Sequence, residues 1–128
     1  MAANTNPIFP LVPKCAGVTL TTAATEKDGS TATSLLVAGA NGTRLDKIVA
    51  KPIGTNVATV LRLFVTGTGM NTCVMEQSIA ASTASEEESL AEYILVPDIV
   101  IPSGATLKAA IGTAVSGGIQ VTAFGGDY

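Results

Sequence analysis

The sequence predicts an all-β fold: an antiparallel β-sandwich of jelly-roll type, with about eight strands following an extended N-terminal arm. Three observations carry this. From Cys15 onward, runs rich in Val, Ile, Leu and Thr alternate with Gly, Asn, Asp and Ser clusters about every dozen residues. Prolines 7, 10 and 13 forbid a helix at the start and favour an extended course. A chain of 128 residues fits one domain with one core. The expected organisation is an arm over residues 1–14 and a single sandwich domain over residues 15–128.

The arm places Ile8, Phe9, Leu11 and Val12 among its prolines, and such apolar side chains are costly to leave in water. It can lie on its own domain as an edge strand or reach a neighbouring subunit. The strands are expected at Cys15–Thr22, Ala32–Ala38, Arg44–Pro52, Thr59–Thr66, Cys73–Ala81, Ala91–Pro97, Thr106–Gly112 and Gly118–Phe124. Alternation is clearest in the fourth, where Leu61, Leu63 and Val65 share one face and Val60, Arg62 and Phe64 the other. In the last strand Ile119, Val121 and Ala123 oppose Gln120, Thr122 and Phe124. Both strands put an aromatic ring on the less apolar side, and as neighbours they would form a sticky patch.

In the third strand Leu45 and Ile48 fall on opposite parities, which a bulge near Asp46–Lys47 repairs, leaving Pro52 at the strand end. Ser85-Glu86-Glu87-Glu88 fits a capping box ahead of Leu90 and Ile94, so this loop has room for a single helical turn. Asn41-Gly42 reads as a hairpin turn, and the Gly112–Gly118 and Gly125-Gly126 stretches also read as turns. Gly54–Ala58 before Leu61-Arg62-Leu63 is echoed by Gly112–Ser116 before Ile119-Gln120-Val121, a likeness of turn chemistry rather than duplication.

Composition bears on function. Charged residues make up 13% of the chain, about half the usual share. A surface rich in Thr, Ser and Asn accounts for part of that. Cover by neighbouring subunits accounts for it better, since obligate interfaces resemble a domain core cut in half. The net charge of −3, with Lys and Arg scattered singly, offers no stripe for nucleic acid. No apolar stretch approaches the roughly 20 residues of a membrane-spanning helix, and Met1–Pro7 lacks a signal-like core, so a cytosolic origin and no membrane partner are expected.

Residues suited to chemistry are scarce. The chain has no His, so acid–base catalysis would need a shifted carboxylate or lysine. Cys15 and Cys73 lack an activating base and are expected as buried, reduced, unreactive thiols. They are too few for a zinc site, and Glu86–Glu88 with Glu92 or Asp98 show no calcium-loop spacing. No catalytic, metal or cofactor residues are expected. The aromatic ending at Phe124 and Tyr128 suggests docking, on its own domain or on a neighbour.

The stretches Gly54–Phe64 and Ile111–Tyr128, with Pro7-Ile8-Phe9-Pro10 and Arg44–Ile48, resemble small virion proteins of tailed bacteriophages and prophages. The resemblance spans most of the chain. It implies a structural role, of the kind filled by capsid decoration or cement proteins that sit on the outer shell as trimers. The expectation is therefore a homo-oligomer, a trimer, that binds the major capsid protein on the virion surface after assembly in the host cytoplasm. Phe9, Leu11, Val12, Arg62, Phe64, Phe124 and Tyr128 are its expected contacts. A tail, neck or fibre-associated protein is the structural alternative. A carbohydrate-binding module is the alternative of another class, opposed by the absence of Trp and the presence of only two Tyr.

Overall fold

The computed structural model describes residues 9–128. Among the described residues nine strands follow one another: β1 (Val12–Leu20), β2 (Thr33–Val37), β3 (Thr43–Pro52), β4 (Thr59–Gly67), β5 (Met70–Ile79), β6 (Tyr93–Leu95), β7 (Ile99–Ile101), β8 (Thr106–Ile111) and β9 (Ile119–Asp127). One sheet runs β1-β9-β3-β6 with β7 also on β3, and the other runs β2-β8-β4-β5. All strand pairs are antiparallel.

β6 and β7 lie on the same side of β3, opposite Ile48–Ala50 and Thr43–Leu45 respectively, so together they form one interrupted edge strand. Taken that way, first strand pairs with last, second with next to last, third with the interrupted edge, and fourth with fifth. That is a chain folded once into a long double ribbon and then rolled, the jelly roll that the sequence predicts. The fold-back is the β4–β5 hairpin, where Gly67 pairs with Met70 across Thr68 and Gly69. Both turn residues have positive φ, 51° and 82°, as a two-residue turn matched to the strand twist requires.

The core lies between the sheets and is built from side chains at alternate strand positions. Leu45, Ile48 and Ala50 of β3, with Ile119, Val121 and Ala123 of β9, face Leu61, Leu63 and Val65 of β4 and Leu107, Ala109 and Ile111 of β8. The parity break in β3 is a bulge: the register with β9 shifts between Leu45 and Lys47, so Leu45 and Ile48 are both buried. Pro52 ends its strand as expected.

Several expectations need correction. The first strand begins at Val12, inside the predicted arm, and the Leu11 amide donates to the Asp127 carbonyl at 2.8 Å. The arm's described end therefore runs along its own domain, while residues 1–8 of that arm lie outside the described residues. Ile99–Ile101 is a strand that the sequence reading missed. Gly125 and Gly126 are not a turn but continue β9, because a Cβ at Gly125 would lie 1.9 Å from the Arg44 carbonyl oxygen and one at Gly126 2.5 Å from Pro10 Cβ. Asn41-Gly42 does turn the chain, with the Gly42 amide donating to Gly39, but it carries the chain between sheets instead of closing a hairpin. Ser85–Glu88 makes no helical turn; the Ser85 hydroxyl instead accepts from the Glu87 amide.

Buried polar side chains are all hydrogen-bonded among the described residues. Thr59 and Thr113 exchange side-chain-to-backbone bonds at 3.2 and 3.0 Å, which seats the two echoed turn segments against each other, with Gly54 beside Gly117. Asn56 donates to the Val57 and Ala80 carbonyls and accepts from the Ser82 hydroxyl, pinning the loops at that end.

Candidate contact surface

The outer face of the larger sheet is built by outward-pointing residues in register. Cys15, Phe124 and Lys47 form one row across β1, β9 and β3, and Gly17, Thr122, Val49 and Ile94 form the next, which reaches β6. Arg44 and Val100 lie opposite each other at the β7 end. Phe124 is 38% exposed, and the Lys47 ammonium lies 5.4 Å from its ring centroid, over the electron-rich face.

Charges on this face are mostly answered within it. Arg44 donates to Asp46 at 2.9 Å and to Asp98 at 2.6 Å, across the irregular stretch that separates β6 from β7. Its pKa is raised, first by the Asp46 hydrogen bond, then by the Asp98 charge and a bond to Tyr128. Asp98 adopts φ 48°, a left-handed conformation that a short polar side chain tolerates. Lys51 lies 3.9 Å from Glu92. At the end of β9, on the opposite side of the sheet, Asp127 accepts from the buried Thr43 hydroxyl and pairs with Lys14 at 3.2 Å, and these contacts, the Thr43 bond first, hold its carboxyl below the usual carboxylate range.

Against this quiet electrostatic background, large apolar side chains stand in solvent. Phe9, Leu11 and Val12 are exposed by 74%, 82% and 57%, at the start of β1, and Ile94, Val96 and Val100 are more than half exposed along the β6–β7 edge. This second group is hidden in the sequence because Tyr93–Ile101 is almost uninterruptedly apolar, so no alternation separates inward from outward positions.

The expected contacts are only partly brought together. Phe9, Leu11 and Val12 join Tyr128 at one end of the larger sheet, where the Tyr128 amide donates to Gly42 and the chain end rests on its own domain. Phe124 lies mid-face in that sheet. Arg62 and Phe64 belong to the other sheet, so Phe64 and Phe124 are not neighbours and make no common patch. Phe64 is moreover fully buried: the β1–β2 connection folds over it, with Gly29 against its ring and Thr66, so it cannot be an exposed contact. Arg62 stays near the surface, with its side chain 16% exposed and paired to Glu76 at 2.8 Å. It lines an open groove of about 610 Å³ that Lys27, Val60, Ser78, Ile79 and Tyr93 also line. The two thiols are free as expected, but Cys15 is exposed and Cys73 only partly buried, because Cys15 belongs to the outward row of an edge strand.

Comparison with known protein families, curated proteins and solved structures finds no match for this chain.

Proposed function

We propose that this chain is a virion structural protein of a tailed phage or prophage, a capsid decoration or cement protein that self-associates, as a trimer, and binds the major capsid protein on the outer shell. The supporting observation is the exposed apolar side chains at both margins of the larger sheet, Phe9, Leu11 and Val12 on one side and Ile94, Val96 and Val100 on the other. A protein surface with so few charges to offset them is suited to burial against other polypeptides. A rolled, tightly packed sandwich with an exposed extended end also suits a high-copy shell component, whose task is to hold neighbours in place. In this reading the chain catalyses nothing and needs no cofactor, and it ends on the capsid surface after assembly in the bacterial cytoplasm.

The test is to fractionate an induced lysate of the source cells on a density gradient and label the particles with antibody to the chain. Label spread over the heads is the expected result. Label confined to one vertex assigns the chain to the tail or neck and overturns the decoration role, and particles without the chain overturn the virion role altogether.

A further inference from the structure

Among the described residues each sheet has two edges, and three of the four are interrupted. The β6–β7 edge breaks at Val96-Pro97-Asp98, β2 has five residues and a register shift between Ser34 and Leu36, and β5 carries Val74 as an extra residue opposite the Leu63–Phe64 step. Bulges, prolines and shortness are how sheet edges are kept from pairing with other chains. β1 differs: it carries one proline, Pro13, next to its start, but its nine residues run in unbroken register with β9, and among the described residues no strand pairs with its other side.

The strand is also uncharged where a partner would meet it. Its outward row, Pro13, Cys15, Gly17 and Thr19, is exposed and carries no charge. Its single ionic residue, Lys14, is turned away and held by Asp127 and the Val37 carbonyl. Two copies of β1 set antiparallel therefore bring no like charges face to face. Gly17, near the middle of the strand, puts no side chain on that row, and a Cβ there would meet only ordinary contacts with Thr122 and the Val121 carbonyl, so the position also tolerates a larger residue.

We infer that β1 is an assembly edge that pairs antiparallel with β1 of a second copy, fusing two larger sheets into one. This rests on the self-association proposed above and names its contact. The pairing is two-fold, so it produces dimers, or pairs of trimers where a three-fold contact also operates. Any register that uses most of the strand is centred close to Ala16, which brings the two Cys15 side chains near each other on the same face.

The experiment combines solution mass with crosslinking. In a Cys73→Ala background a short bismaleimide should join two chains through Cys15. Cys15→Lys and Gly17→Lys, each placing two ammonium groups close together across the two-fold, should weaken dimerisation by roughly tenfold or more while the far-ultraviolet circular dichroism stays unchanged. If the wild-type chain self-associates but Cys15 does not crosslink and both lysine variants keep the wild-type mass, the edge assignment is overturned and self-association by another surface stands. A wild-type chain that is monomeric at every concentration overturns both.

Discussion

Replacing Phe64 by Ala separates two accounts of the same residue. Alternation in β4 puts the ring on the outer side of its sheet, where it would serve as a contact. The fold instead encloses it completely, under the β1–β2 connection and apart from the main core. Truncating a fully buried Phe costs about 3–5 kcal/mol, from lost transfer energy plus the cavity left behind. For a domain of this length each kcal/mol moves the melting temperature by about 3 °C, so a fall of about 9–15 °C is expected. The matching change at Phe124, 38% exposed, should cost less, about 2 kcal/mol, since over a third of the residue already stands in water and its loss from an open face leaves no enclosed cavity. Urea unfolding followed by circular dichroism at one fixed protein concentration measures both, the fixed concentration being needed because association adds to apparent stability. Equal losses for the two variants, or a Phe64→Ala loss below about 1 kcal/mol, would refute the enclosed position of Phe64.

Other expectations follow from single contacts. Gly125→Ala should destabilise the fold severely in thermal melts, because the new methyl meets the Arg44 carbonyl and backbone cannot yield cheaply. Thr68→Asn should raise stability by about 1 kcal/mol in the same assay, since Thr68 is a β-branched residue held at φ 51°. Asp127 has a depressed folded-state pKa, so its contribution is present at neutral pH and fades as pH falls below about 4. Asp127→Asn should therefore flatten the stability profile in that acid range while leaving its shape above pH 6 unchanged, as urea titrations across pH would record.

Much of the architecture is legible in the residues themselves. Inward and outward positions in β4 and β9 follow from alternation, and the broken parity between Leu45 and Ile48 locates a bulge that the register bears out. What escapes the sequence depends on how distant segments meet. Phe64 has the predicted parity, yet its exposure is decided by Gly29, which reaches it from the β1–β2 connection, a stretch of Thr and Ala around the charged run Glu26-Lys27-Asp28 that has no apolar pattern to mark a cover. Gly125-Gly126 has turn-like composition, but the glycines are there because Arg44 and Pro10 approach the backbone too closely for a side chain. The short strand Ile99–Ile101 lies between Pro97 and Pro102 and is too brief to announce itself, although it completes the edge of the larger sheet. The margin contacts divide in the same way: Phe9, Leu11 and Val12 stand out by composition, whereas Ile94, Val96 and Val100 are hidden in a uniformly apolar run until the pairing with β3 shows which of them face outward.

The central claim is that the exposed apolar margins of this sandwich are covered by other polypeptides, beginning with its own copies. Sedimentation equilibrium over a wide range of protein concentration tests it most directly. The account predicts a mass that rises to a defined multiple of 12.8 kDa and resists added salt, as apolar contacts do. A species that holds at 12.8 kDa up to the highest concentration would contradict it.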